Sequence, residues 1–441
     1  MLGLVLGLIS SSFNIRSLGT GMRRSATQIM PALPMLLFIS MVSTTWMLSG
    51  VVPTLIDLGL RVINPAGFLA IACAVCAAVS LLTGSSWSTI ATIGVAFMGI
   101  GSVLGYSEAW VAGAIISGAY FGDKMSPLSD TTVIASASGG VDLFEHIRYM
   151  MLTSGPAMLI SLLVFASAGF LTDTNVGGDS AGNIIAGLES TFNLTPWVLV
   201  IPAITGVMIA MRVSTLVTLA ASSFLGLTGI FVFQPQIVDF LCREASGVIP
   251  MLNTIGRVLF TETSLSTGDE ALDALVGTGG IEGMLPTIYL VLCAMTFGGV
   301  MMGTGMLKSI SEAFTRIISR RGSLVATTAA SGVMLNACTA DQYLSIIIGS
   351  NMYKPIYQKF NLESKLLSRT VEDSTSVTSV LIPWNSCGVT QSTVLGVATL
   401  TYLPFCVFNY LSPVMSIIMG VTGWRIRTVK PARTALAKAT H

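Results

Sequence analysis

Charge is what this sequence has least of. Lysine, arginine, aspartate and glutamate together make up 10% of 441 residues, against about 25% in a soluble globular chain. The 22 basic and 21 acidic residues nearly cancel, leaving +1. That balance excludes a nucleic-acid binder, which needs a basic face to displace phosphate counterions. Histidine is almost missing, with only His146 and the terminal His441. A serine hydrolase requires a base beside its nucleophile, so hydrolysis has little to work with. The Gly-x-Gly-Asp pattern of an intramembrane aspartyl protease would need glycine at 120, where Tyr120 stands. The expectation is a protein that is not an enzyme and has no cofactor. Seven cysteines show no paired spacing, and Cys73, Cys76, Cys293 and Cys338 sit in apolar runs. They read as small buried residues, neither a disulfide framework nor a zinc site. The 23 methionines read as core filler.

Apolar surface is what the chain has most of: 52% of residues, with a mean hydropathy of +0.79. Roughly 20 such residues cross a bilayer as one helix. Strong segments appear at 31–52, 66–82, 86–104, 149–171, 196–211, 213–233, 286–306, 322–338 and 400–422, with weaker, polar-studded ones at 110–136, 340–357 and 366–392. This pattern predicts an all-α polytopic membrane protein of about 11–13 membrane segments. Residues 1–12 are apolar but short, with no basic region before them, which argues against a signal peptide. A partial or interfacial helix over 1–30 is expected instead.

Loop charge sets the orientation, because lysine and arginine collect on the cytoplasmic side. Threaded alternately, one set of loops carries Arg16, Arg23 and Arg24; Arg212; Lys308, Arg316, Arg320 and Arg321; and Lys354, Lys359 and Lys365. It ends in the basic 423–441 tail. The other set carries Glu108, Asp173, Asp179, Glu189 and the acidic 234–285 stretch. Only 139–148 departs, with Asp142 and Glu145 against Arg148. The C-terminus is therefore expected in the cytoplasm.

Two parts of the chain align at a nearly constant offset. Thr83 falls on Thr339 (339 − 83 = 256) and Pro127 on Pro383 (383 − 127 = 256). The linker 53–65 sums to zero, whereas its counterpart 307–321 sums to +3, with four basic residues and Glu312. Opposite charge preference predicts repeats of inverted topology with broken or re-entrant helices, as in secondary transporters. The predicted organisation is a first repeat at 31–171, connecting spans and an acidic external loop at 172–285, and a second repeat at 286–422.

The broken segments carry the chemistry. Gly118-Ala119-Tyr120-Phe121-Gly122-Asp123-Lys124-Met125-Ser126-Pro127-Leu128-Ser129-Asp130-Thr131-Thr132 places two carboxylates and an ammonium at membrane depth. A charge there costs at least about 2.5–3.5 kcal/mol, so such residues are functional candidates. Gly122 and Pro127 are expected helix breaks, Pro127 because it lacks a backbone donor. The hydroxyls of Ser126, Ser129, Thr131 and Thr132, with freed carbonyls, suit a hard cation such as Na+ near Asp130. Desolvation favours a protonated carboxylate and a bound cation favours the anion; a group poised between them can exchange H+ for Na+. Alternatively, Asp123 and Lys124 form a structural ion pair and Asp130 alone titrates.

The second repeat offers Glu372, Asp373, Ser374 and Thr375 before the break at Pro383, then Asn385 and Ser386. Asn385 aligns with Ser129 and Ser386 with Asp130, so one site is charged where the other is neutral. Glu372 could equally be a solvated charge near the cytoplasmic end. Further polar breaks hold Ser86, Ser88 and Thr89, where packing competes with ligation, and Thr339 and Asp341. Asp341 has no basic neighbour in sequence. His146 reads as a pH sensor or a plain interfacial residue.

The Gly118–Thr132 stretch resembles the signature of the NhaC family of sodium/proton antiporters. Thr83-Gly84-Ser85-Ser86-Trp87, Asp142-Leu143-Phe144-Glu145-His146-Ile147, Glu372-Asp373-Ser374 and Ile382-Pro383-Trp384-Asn385 match in order and spacing. Val133 departs, standing where the family often has asparagine. The resemblance implies Na+ and H+ as transported ions across a bacterial cytoplasmic membrane. Small carboxylates such as malate and lactate, or amino acids, are the alternative cargo, and a homodimer is the assembly to consider.

Overall fold

The computed structural model describes residues 15–30, 32–172, 178–211, 213–241, 248–263, 273, 276–316, 318–426 and 428. The basic tail beyond 428 and residues 242–247, 264–272 and 274–275 of the acidic stretch lie outside the described residues. Apart from the isolated bridges Thr263–Thr278 and Leu362–Thr428, these residues form helices and short connections.

Along the chain the helices are α1 (Ile15–Ile29), α2 (Ala32–Leu48), α3 (Val51–Val62), α4 (Phe68–Thr83), α5 (Ser86–Val103), α6 (Glu108–Met125), α7 (Asp130–Gly139) and α8 (Leu143–Leu171). The connecting region contributes α9 (Gly178–Thr191), α10 (Val200–Ala210), α11 (Thr215–Phe233), α12 (Pro235–Leu241) and α13 (Val248–Phe260). There follow α14 (Leu285–Gly303), α15 (Met306–Thr315), α16 (Arg321–Thr339), α17 (Gln342–Lys359), α18 (Ser364–Val371), α19 (Ser386–Leu395) and α20 (Val407–Thr422).

Five helices are long and apolar enough to cross a bilayer, and three bent pairs raise the number to eight among the described residues. The bends measure 65° in the α2–α3 pair, 86° before α10 and 58° before α20. The sequence reading expected 11–13. The difference lies in α6, α7 and α16–α19, which are too short or too polar to count alone. They are tolerated because neighbouring helices cover their backbone and charges.

Small residues let these helices approach closely. A Cβ on Gly118 would stand 2.1 Å from the Cys73 carbonyl oxygen, and one on Gly122 would stand 2.2 Å from that of Ala77. Both lie inside the continuous α6, pressed onto α4. Gly122 is thus a packing contact and not the helix break expected of it. The breaks at Pro127 and Pro383 are present: α6 stops at Met125 and α7 starts at Asp130, while the chain between Leu381 and Ser386 is non-helical. α1 docks on α14, where Gly21 meets the Gly299 carbonyl.

Helix boundaries recur at the offset seen in the sequence. α7 spans Asp130–Gly139 and α19 spans Ser386–Leu395 (386 − 130 = 256; 395 − 139 = 256). Each ends on a left-handed glycine, Gly140 at φ 76° and Gly396 at φ 69°. The turn after α4 matches the turn after α16 bond for bond. Thr83 Oγ1 accepts from Ser85 N at 3.2 Å, and Thr339 Oγ1 accepts from Asp341 N at 3.2 Å. Ser85 Oγ then caps Ser88 N, and Asp341 Oδ1 caps Leu344 N. Gly84 adopts φ 69° at the apex, and Ala340, a residue with a Cβ, is held there at φ 59°. Each half also lends a short helix to the other: α7 packs on α17 and α18, and α19 packs on α5.

Candidate functional site

The first break repairs its own backbone. Pro127 cannot donate, so Asp123 O accepts from Ser126 N at 3.0 Å. Leu128 N turns to Ser126 Oγ at 3.2 Å, and Thr132 Oγ1 donates to Lys124 O at 3.0 Å. Ser126 and Thr132 are thereby occupied as struts. Ser129 Oγ and Thr131 Oγ1 lie 2.9 Å apart at the start of α7.

Asp123 and Lys124 do not pair with each other. Neighbours on a helix point about 100° apart, and here they serve different places. Asp123 accepts from Ser86 Oγ at 2.7 Å and from Ser86 N at 3.2 Å. Lys124 points the other way, fully buried, to Asp373 in the second half. Ser412 Oγ takes another Lys124 proton at 2.7 Å, and Ser416 donates to the far oxygen of Asp373. Arg369 Nε stands 3.9 Å from Asp373, with its guanidinium 4.4 Å from the centre of the Tyr149 ring. The local ion pair considered as the alternative is replaced by a buried network joining the two halves.

Asp123 and Asp130 line one cavity of about 340 Å³, room for about ten waters at roughly 30 Å³ each. Thr83, Ser88, Ser129, Thr131, Trp87 and the second-half residues Gln342 and Tyr343 share its wall. A second cavity of about 240 Å³ meets the first at Asp130 and runs towards Val213, Ser214 and Thr218. Among the described residues no lysine, arginine or histidine lines either one. Asp130 is exposed to this space and is not the buried carboxylate that the sequence suggested. Asp123 lies deeper, partly buried.

The second break, read from the sequence as the neutral counterpart of the first, is absent from the wall. Asn385 Oδ1 caps Cys387 N at 3.0 Å, and its Nδ2 donates to Asn336 O at 3.3 Å. Ser386 N donates to Ala340 O at 2.9 Å. Ser374 Oγ donates to Thr370 O, Thr375 is buried without a hydroxyl partner, and Thr339 and Asp341 are absorbed in the capped turn. Glu372 is fully buried, which removes the solvated alternative. One of its oxygens accepts from Ser376 Oγ at 2.9 Å and the other has no partner. It sits in a π-helical turn beside Thr131 and Lys124. His146 is buried rather than interfacial, with Nδ1 2.9 Å from Ser368 Oγ.

Sequence reasoning gave no role to Arg369, Ser412, Ser416, Gln342 or Tyr343. A signal existed for three of them: Arg369 and Asp373, like Ser412 and Ser416, are four apart and share a helix face.

The profile of the Na+/H+ antiporter family matches residues 118–424. The chain is 39% identical over 389 residues to "Na(+)/H(+) antiporter NhaC" of Alkalihalophilus pseudofirmus, covering 88% of this chain and 81% of that one. It is 34% identical over 421 residues to "Arginine/ornithine antiporter ArcD" of Halobacterium salinarum, covering 93% and 82%. It is 32% identical over 424 residues to "Malate-2H(+)/Na(+)-lactate antiporter" of Bacillus subtilis, covering 96% and 86%. Motifs, fold and relatives agree: the chain belongs to the Na+/H+ antiporter family.

Proposed function

We propose that Asp123 and Asp130 bind Na+ and H+ in competition within the shared cavity, and that exchange proceeds by alternating access across a bacterial cytoplasmic membrane. The observation that carries this reading is a cavity of about 340 Å³ with two carboxylates and, among the described residues, no basic side chain on its wall. Ser88, Ser129 and Thr131 are the neutral oxygens nearest to hand for a partly dehydrated cation. Glu372, with a free oxygen beside Thr131, is the next proton acceptor inward. Lys124 and Asp373 hold the halves together and do not carry the ion.

Carboxylate cargo such as malate or lactate would need a cation facing the cavity. Lys124, the nearest one in sequence, is turned into the second half, so the charge of the wall favours a cation. The two halves are read as inverted repeats, supported by the recurring boundaries and the opposed linker charges. The second cavity runs to the Val213–Ser214 loop, on the side that basic residues assign to the cytoplasm. This state is accordingly inward-open, with the C-terminus cytoplasmic.

Dye-monitored proton flux in proteoliposomes, challenged in turn with sodium, lithium, potassium, malate and lactate, tests the proposal. Sodium should drive flux while malate and lactate alone do not. Asp123→Asn and Asp130→Asn should each abolish it with protein still inserted at the wild-type level. Sodium-driven flux retained in both variants would overturn the assignment.

A further inference from the structure

A second polar site stands at the start of α8 and shares no lining residue with the ion cavity. A pocket of about 520 Å³ lies among Glu145, Arg148, Tyr149, Leu152, Lys365 and Arg425. These residues come from the start of α8, the start of α18 and the turn after α20. Alternate threading of the spans puts all three segments on the cytoplasmic side, although 139–148 itself departs from the charge pattern, so three cations distant in sequence converge at one membrane face.

Only part of this positive charge is used internally. Lys365 is held by Glu145 at 2.9 Å and Glu363 at 2.8 Å. Arg148 and Arg425 are exposed, and among the described residues neither has a carboxylate within ion-pair distance. Tyr149 forms the inner wall: its hydroxyl donates to Arg425 O at 3.2 Å, and Lys365 Nζ lies 5.5 Å from its ring centre. Exposed apolar side chains stand within a helical turn or so of the lining residues in sequence, with Phe144 and Met151 on α8 and Val421 and Trp424 at the end of α20. α8 and α20 pack together, so this is a basic crevice between two apolar helices at the depth where headgroups lie.

We propose that this pocket binds the phosphodiester headgroup of an anionic phospholipid, with Arg148 and Arg425 as its direct partners. Arginine forks match phosphate oxygens in pairs, and the flanking apolar surface takes the first carbons of the acyl chains. A free phosphate offers the same oxygens without those chains, so the lipid-facing apolar rim favours the lipid.

Native mass spectrometry of the detergent-purified full chain tests this. Phosphatidylglycerol, phosphatidylcholine with the same acyl chains, and inorganic phosphate are titrated separately and in competition. Phosphatidylglycerol should be retained over phosphatidylcholine. Each of Arg148→Gln and Arg425→Gln should weaken that retention about fivefold, the equivalent of about 1 kcal/mol per cation. Arg320→Gln/Arg321→Gln should leave it unchanged. Glu145→Gln, which removes the only lining carboxylate among the described residues, should tighten it and keeps the test open if an arginine variant fails to fold. Equal retention of both lipids, unchanged binding in the arginine variants, weaker binding in Glu145→Gln, or displacement by millimolar inorganic phosphate would each overturn the proposal.

Discussion

Lys124 and Asp373 are the most consequential pair of side chains in this protein. Both are removed from water, and each satisfies the other with help from Ser412, Ser416 and Arg369. Removing one partner of a buried ion pair typically costs about 3–5 kcal/mol, because a charge is left alone in a poor dielectric. Lys124→Met and Asp373→Asn should each lower the melting temperature of the purified protein sharply. Their combination should cost less than the two losses added, and additive losses would show that the pair is not coupled. The sequence marked both residues as unusual, since charge at membrane depth is conspicuous. It did not show who pairs with whom. Asp123 was the nearer partner for Lys124 along the chain, but adjacent helical positions diverge, and the true partner lies 249 residues away.

Local punctuation was far more legible than partnership. Pro127 and Pro383 interrupt their helices, as a missing backbone donor favours, although Pro156, Pro355 and Pro413 are carried inside continuous helices; the capped turns at Ser85 and Asp341 follow from short polar side chains beside a left-handed residue. Gly122 misled because glycine serves two purposes, permitting a bend or permitting contact. Only the presence of α4 against α6 decides between them. The packing predicts a sharp contrast. Gly118→Ala must push α6 off the Cys73 backbone and should cost about 1–3 kcal/mol, read as lower thermal stability and lower yield in membranes. Gly206→Ala in α10, where a Cβ meets nothing within 4 Å, should leave both unchanged. Equal behaviour of the two variants would show that the α4–α6 contact is looser than described.

The arrangement of the two halves was legible as a numerical offset, and helix boundaries reproduce that offset to the residue at α7 and α19. What alignment could not convey is that the cavity is asymmetric. Its acids come from the first break, while the second half contributes Gln342 and Tyr343, and the Asn385–Ser386 turn is spent on Asn336 and Ala340. Opposed orientation has a direct test. In a background freed of native cysteines, Val62→Cys at the end of α3 and Arg320→Cys before α16 are both exposed. A membrane-impermeant maleimide should reach the first only from outside the cell and the second only from inside. Labelling from one common side would rule out inverted repeats.

The bridge between Lys124 and Asp373 also bears on biogenesis. A ribosome adding about 5–20 residues per second needs about 12–50 s to cover the 249 residues separating them. Throughout that interval the ammonium of the nascent first half lacks the counter-charge that it meets in the finished fold. The insertion machinery must therefore shelter an unfinished protein until its opposite sign emerges from the tunnel.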